Sequence, residues 1–340
     1  MRRFANFAFC LVVLSTVVLL PLALADAQTP ATSDSEPGGT PASKEPASDL
    51  RVMSFNIRFG AAPDGDNHWD HRQENVITTI EDFSPDLLAT QEVLLFQVRF
   101  LKEQLDEFTF VGRSREKQAF GEHCGILFRT KRFDMLEQGH FWLSETPNVP
   151  GSKSWDSAVS RMATWVKLFD RQTETAIYFL NTHFDHRGVE ARHNAAKLIL
   201  ERVQQFEPDV PVIFAGDLNA APSSKPVLEI VDVLTDSFAA LHPEEKGQGT
   251  FNGFRGLTNG ARIDYIFASN SLQPISAAID RHEFDGKTPS DHFPVTAVLR
   301  FADPGYSKLN CRVFSDVASA ANSLRFVAAV YPALRGPAAA

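Results

Sequence analysis

Pro211-Val212-Ile213-Phe214-Ala215-Gly216-Asp217-Leu218-Asn219 is the stretch from which this chain is best read. Its first five residues are all apolar, with no alternation. Such a run reads as a strand buried on both faces, in the middle of a sheet covered on each side. The run then stops at Asp217 and Asn219, two side chains whose oxygens can bind a cation or whose amide can bind a phosphate. Read alone, the triplet is equally well a turn cap, because Asp and Asn favour turns.

Outward from this strand the same event recurs. Residues 51–57 read as a strand that reaches Asn56, and 87–91 as a strand that runs into Glu92. Further strands are expected at 124–128, 163–169 and 176–180, the last running through Asn181 and Thr182 into His183. Late strands are expected at 263–268, opening with Asp264 after Arg262, and at 294–301, directly after Asp291 and His292. Helices are expected at 70–83, where Val76, Ile77, Ile80 and Phe83 have helical spacing, at 96–105 and at 189–206. Strands that alternate with helices and with hairpins predict mixed sheets covered by helices.

Each polar residue has an ordinary reading when taken singly. Glu92 caps the following helix, Asp291 and His292 make a surface turn, and His183 is a satisfied structural histidine. Joint occurrence at strand ends, along the whole chain, argues for one rim on which they converge. Hard oxygen donors of this kind suit Mg²⁺ or Mn²⁺. A Cys/His cluster with zinc spacing is missing from the sequence.

The 340 residues carry 44% hydrophobic and 22% charged side chains, as in ordinary globular proteins. The formal charge of -9 argues against a passive basic coat on nucleic acid. Three Cys are too few for a disulfide scaffold. Met1 to Ala25 reads as a secretory signal peptide, with Arg2 and Arg3 before an apolar stretch and Ala23-Leu24-Ala25 as cleavage site. An uncleaved anchor is the alternative. Residues 26–49 are rich in Ala, Pro, Ser, Thr and acids and read as a disordered linker. The folded domain is expected over 50–302, followed by a tail at 303–340 to which no role is assigned. A secreted or periplasmic monomer is expected, with no membrane span after cleavage.

Seven short motifs stand in order: Ser54-Phe55-Asn56-Ile57-Arg58, Gln91-Glu92-Val93, Gly121-Glu122-His123, Asn181-Thr182-His183, Gly216-Asp217-Leu218-Asn219, Arg262-Ile263-Asp264-Tyr265-Ile266 and Ser290-Asp291-His292-Phe293-Pro294-Val295. In that order they resemble the endonuclease/exonuclease/phosphatase superfamily, which has the DNase I-like fold. The resemblance spans 50–301. It implies an α+β fold: a four-layer α/β/β/α sandwich of two packed mixed sheets flanked by helices. It implies hydrolysis of phosphate esters with Mg²⁺ or Mn²⁺. Glu92 is then the chief metal ligand, with Asn56 and Asp291 beside it. Asp217, Asn219 and His292 supply the other side of the metal site. Asp217 orients or deprotonates the attacking water, helped by Asn219. His183 and His292 face the phosphate, and each is expected to have an acid behind it that raises its pKa: Glu122 for His183 and Asp264 for His292. Arg161 and His186 are candidates for contact with substrate phosphate, an ion pair being the structural alternative for Arg161.

The substrate expected first is a phosphodiester, in nucleic acid or a nucleotide. The alternative is a phosphomonoester or a phospholipid on the same scaffold, and the third reading is a non-catalytic phosphate-binding module. The acidic balance favours a small or locally held substrate over a long duplex.

Overall fold

The computed structural model describes residues 49–302 except 119 and 245–247. The expected signal peptide, most of the expected linker, the tail and Cys311 lie outside the described residues. Asp49, taken above as the last linker residue, is held by Arg300 through two contacts of 2.7 Å.

The strands are β1 (Leu50–Asn56), β2 (Leu87–Val93), β3 (Phe108–Val111), β4 (His123–Arg129), β5 (Phe133–Trp142), β6 (Met162–Asp170), β7 (Thr175–His183), β8 (Val212–Asp217), β9 (Thr235–Asp236), β10 (Asp264–Ala268), β11 (Leu272–Ile279) and β12 (Val295–Phe301). The helices are α1 (Trp69–Phe83), α2 (Leu95–Gln104), α3 (Val189–Gln204), α4 (Lys225–Val231) and α5 (Ser237–Leu241). One six-stranded sheet has the order β11-β12-β1-β2-β4-β3, the other β5-β6-β7-β8-β10-β9. In each sheet one central pair is parallel, β1 with β2 and β7 with β8. The strands beside these pairs run antiparallel. The fold is therefore the expected α+β sandwich.

Side-chain parity explains both the core and the site. In a strand, alternate residues face opposite sides. Leu50 and Val52 of β1, Leu87 and Ala89 of β2, Ile177 and Phe179 of β7, and Ile213 and Ala215 of β8 meet between the sheets. The other parity faces the helices. Met53, Phe55 and Leu88 pack on Val76, Ile77 and Ile80 of α1 and Leu101 of α2. Tyr178, Leu180, Phe214 and Phe267 pack on Ala195 and Ile199 of α3 and Val227 and Ile230 of α4. Two-sided burial is why β8 reads as an unbroken apolar run.

Continuing the inward parity to the strand ends reaches Asn56, His183, Asp217 and Asp264. The layer between the sheets thus changes from hydrocarbon to polar at one end. Gln91 and Asn181 form the floor of that end. Gln91 Nε2 donates to Asn181 Oδ1 at 2.8 Å, and Asn181 Nδ2 donates to the carbonyls of Thr90 and Gly125. These bonds tie the two sheets together at the rim, although Gln91 Oε1 is left without a partner.

Candidate active site

The site is built where backbone geometry is least relaxed. Arg58, Glu92 and Asn219 all have positive φ, at 59°, 63° and 45°. Glu92 sits where the pairing of β2 with β4 shifts register between Thr90 and Val93. Non-glycine residues in the left-handed region are costly and persist where the surroundings enforce them, often at functional sites. Gly216 has φ +152°, and a Cβ there would lie 2.2 Å from the carbonyl oxygen of Thr182. Only glycine lets β8 lie this close to β7 just before Asp217.

Asp217 is the hub. Its Oδ2 accepts from Asn56 Nδ2 at 3.0 Å and lies 3.3 Å from His183 Nε2 and 3.8 Å from His292 Nε2. Its Oδ1 accepts from the backbone N–H of Asn219 at 2.9 Å. Burial, and then the charge of Asp264, pushes the Asp217 carboxyl up to about 7. Asn56 Nδ2 also donates to Glu92 Oε1 at 3.2 Å, so one amide bridges the two carboxylates. Glu92 Oε2 accepts from the backbone N–H of Phe59 at 3.0 Å.

The two histidines differ. His292 Nδ1 lies 2.9 Å from Asp264 Oδ2, as expected for this pair. Burial opposes the charged ring, but Asp264 and Asp217 outweigh it and hold its pKa well above the usual histidine range. Phe251 packs edge-on against the ring at 5.2 Å between centroids.

His183 corrects the expectation of Glu122 behind it: the carboxylate next to its ring is Asp217, 3.3 Å from Nε2. Glu122 is taken by Arg115, whose Nη1 lies 2.6 Å from Glu122 Oε2. His183 Nε2 faces the amide of Asn219 at 3.1 Å, and with Asn219 Nδ2 as donor it is the acceptor. Burial and the nearby Arg161 and Arg115 push its pKa well below the usual value. His183 is therefore a neutral imidazole. The pairing inferred from motif order failed because Arg115, seven residues before Glu122, competes for the carboxylate with a permanent charge.

Asp291 lies at the other side of the cavity, with Arg58 Nε 3.6 Å away. Burial raises its pKa; the charged His292 opposes the rise, and Glu92 adds to it. Arg58 is fixed by Asp64 through two bonds of 3.0 and 3.1 Å. Arg161 lies buried in the cavity wall, with its Nη2 3.3 Å from His186 Nδ1. Its Nε and Nη1, and Arg115 Nε, have no hydrogen-bond partner.

The cavity bounded by these groups has a volume of about 430 Å³. Its lining includes Arg58, Glu92, Asp291, Asp217, Asn219 and His183, with Arg115, Glu122, Arg161, His186, Phe59 and Phe251. Arg58, Arg115 and Phe251 were missed as site residues. Arg58 stood inside a quoted motif; nothing in the sequence singles out Arg115 or Phe251. Arg72 was missed too. Its buried guanidinium donates to the carbonyls of Ile57, Arg58, Asn67 and Pro289, tying the loop after β1 to the loop before Asp291.

Asp217, Asp264 and His292 each bring one ligand atom within 4.8 Å of the others, and such a trio can coordinate a divalent cation. The wider donor set fits such a cation. Asp264 Oδ1 is buried without a hydrogen-bond partner, and the carboxyls of Asp217 and Asp291 are both pushed up. Burial is the first cause of both shifts, and a bound cation would favour the charged carboxylates.

Two packed mixed sheets with acids, amides and histidines at one shared rim define a phosphoester hydrolase of the DNase I-like class. Residues 53–292 match the model of the Endonuclease/Exonuclease/phosphatase family, and the chain belongs to that family. A family member of solved structure from Bacteroides thetaiotaomicron is 32% identical, with a TM-score of 0.71 over 76% of this chain and 97% of that chain. The mannosyl-6-phosphatase Bt3783 of Bacteroides thetaiotaomicron is also 32% identical, with a TM-score of 0.68 over 74% of this chain and 100% of that chain. Protein angel of Drosophila melanogaster is 22% identical over 290 residues, 74% of this chain and 81% of its own length.

Proposed function

We propose that the protein hydrolyses phosphate esters with a divalent cation, Mg²⁺ or Mn²⁺, by direct attack of water on phosphorus. The observation that carries this reading is the convergence on one cavity of Asp217, His292 with Asp264 behind it, and the Asn56–Glu92 pair. Glu92, Asn56 and Asp291 would hold the cation, with Asp217, Asn219 and His292 facing it. When bound, it neutralises phosphate oxygens and the charge that builds on the leaving oxygen.

The chain's own groups do the rest. Asp217, raised to about 7, is a carboxylate of the basicity wanted for taking a proton from water near neutral pH. The water oxygen then forms the new bond to phosphorus, and the ester bond breaks with its electron pair on the leaving oxygen. Asn219 braces Asp217 through its N–H, and its side-chain amide braces neutral His183. The His292 imidazolium, oriented by Asp264, presents positive charge to phosphate oxygens.

A phosphodiester of a nucleic acid is the first substrate reading. A phosphomonoester is the second, supported by the 32% identical relative described as a mannosyl-6-phosphatase. Export to the periplasm or outside the cell is supported only by the signal-like sequence of residues 1–25. No helix among the described residues is long and apolar enough to cross a membrane.

The test is incubation with labelled single- and double-stranded DNA and RNA and with small mono- and diesters. Mg²⁺, Mn²⁺ and chelator are compared. Cation-dependent turnover of at least one class is expected, lowered about 1,000-fold or more by Asp217→Ala. Turnover that survives the chelator or this substitution would overturn the mechanism.

A further inference from the structure

Three donors in the cavity wall are unused. Arg161 Nε and Nη1 and Arg115 Nε are buried and without hydrogen-bond partners, and both residues line the cavity. A guanidinium left so is costly unless a ligand completes it. Arg115 Nη1 is bound by Glu122 at 2.6 Å, and Glu116 Oε1 lies 3.7 Å from Arg115 Nε, beyond hydrogen-bond distance. Asp185 is 4.0 Å from Arg161 Nε, too far for a hydrogen bond, and its oxygens are engaged by the backbone of 158–159 and 187–188. Arg161 is fixed in place by its own burial and by His186. The wall is a rigid, positively charged fork with donors to spare, the geometry that suits phosphate oxygens.

A phosphodiester has two non-bridging oxygens and one charge. A phosphomonoester has three such oxygens and close to two charges near neutral pH. The cation side and the Asp217–His292 side address the oxygens that every ester shares. We propose that Arg115 and Arg161 form a subsite for the third, charged oxygen of a phosphomonoester and so select monoesters over diesters. This rests on the hydrolase reading above and reverses its order of substrates, placing the monoester ahead of the diester.

The experiment uses the purified full chain with Mg²⁺, p-nitrophenyl phosphate and bis(p-nitrophenyl) phosphate. Wild type, Arg161→Met, Arg161→Lys and Arg115→Met are compared, with thermal melts to confirm folding. Inorganic phosphate binding is measured by calorimetry on the same proteins. Arg161→Met is expected to lower kcat/KM for the monoester by about 100-fold and for the diester by no more than about fivefold. Phosphate affinity should fall about tenfold or more in both Met variants. Arg161→Lys, which keeps a charge but not the fork, should recover only part of the monoester rate. If Arg161→Met does not fold, Arg115→Met and Arg161→Lys carry the same comparison. Equal losses on both esters, preference of the wild type for the diester, or unchanged phosphate binding would each sink the proposal. A wild type that turns over neither ester yet binds phosphate through these arginines would instead refute the hydrolase reading and leave the subsite standing.

Discussion

Asp185 shows how one buried carboxylate positions a site without touching its chemistry. It follows His183 by two residues and is 2% exposed. Its Oδ1 accepts from the N–H groups of Arg187 and Gly188, and its Oδ2 from Ala158, Val159 and the Ser157 hydroxyl. Two loops are thereby tied together beside Arg161 and His186. Burial raises its pKa, but these donors outweigh burial and pull it down to about 2. The sign follows from linkage. The folded pKa is below the unfolded value of 3.8, so the contribution is present above pH 3.8 and lost as pH falls towards 2. It amounts to about 2 kcal/mol. Asp185→Asn should therefore lower Tm at pH 7 by roughly 4–8 °C, with the gap closing near pH 2. A gap of the same size at pH 2 would show that shape, not charge, is what Asp185 supplies. The role was not legible in the sequence, where of the adjacent residues only His186 is a candidate phosphate contact; it arises from loop groups almost 30 residues earlier in the chain.

Among elements, the β7–β8 pair is decisive, because it delivers His183 and Asp217 side by side in register. Thr182 stands opposite Gly216, and the missing Cβ lets the strands close. Gly216→Ala should cost about 3 kcal/mol or more, read as a lowered urea midpoint, because both the contact and the positive φ oppose it. Activity should fall further than stability alone explains, since the strand ends must separate at Asp217. An unchanged midpoint would mean that the backbone relaxes freely there. This pair was readable in the sequence because central strands bury both faces and carry the clearest pattern. The unread strands are mainly edges or short. In β5, Asp134 to Gln138 are exposed, so no apolar alternation marks it. In β11, exposed residues and Pro274 break the pattern, and β3 has only four residues. The same reasoning explains the unread half of the site. Strand-end residues announce themselves by ending an apolar run. Arg161 is legible as a candidate phosphate contact, but Arg115 lies in a loop 46 positions earlier, and only the closed sandwich brings it to the same wall.

At the scale of the whole molecule, the sandwich concentrates negative charge at one end of its buried layer and leaves it unbalanced. Glu92, Asp217 and Asp264 come from three strands of the two sheets, and Asp291 from the loop before β12. Their mutual repulsion is offset in part by His292 and Arg58. A cation that binds only the folded chain therefore stabilises the entire fold through mass action, by about 2.7 kcal/mol at a hundredfold excess over its Kd. For a domain of this size each kcal/mol moves Tm by roughly 2–4 °C, so saturating Mn²⁺ should raise Tm by about 5–10 °C over chelator. Glu92→Gln should remove most of that rise while leaving the chelator Tm equal to or above that of wild type, because one repelling charge has gone. The surface offers a built-in control. Asp134, Glu107 and Asp49 are paired with arginines far from the rim, and Asp134→Asn should leave the Mn²⁺ response intact. A rise of equal size in wild type and Glu92→Gln would mean that the cation acts elsewhere, and the charge gathered at the rim would then need another partner.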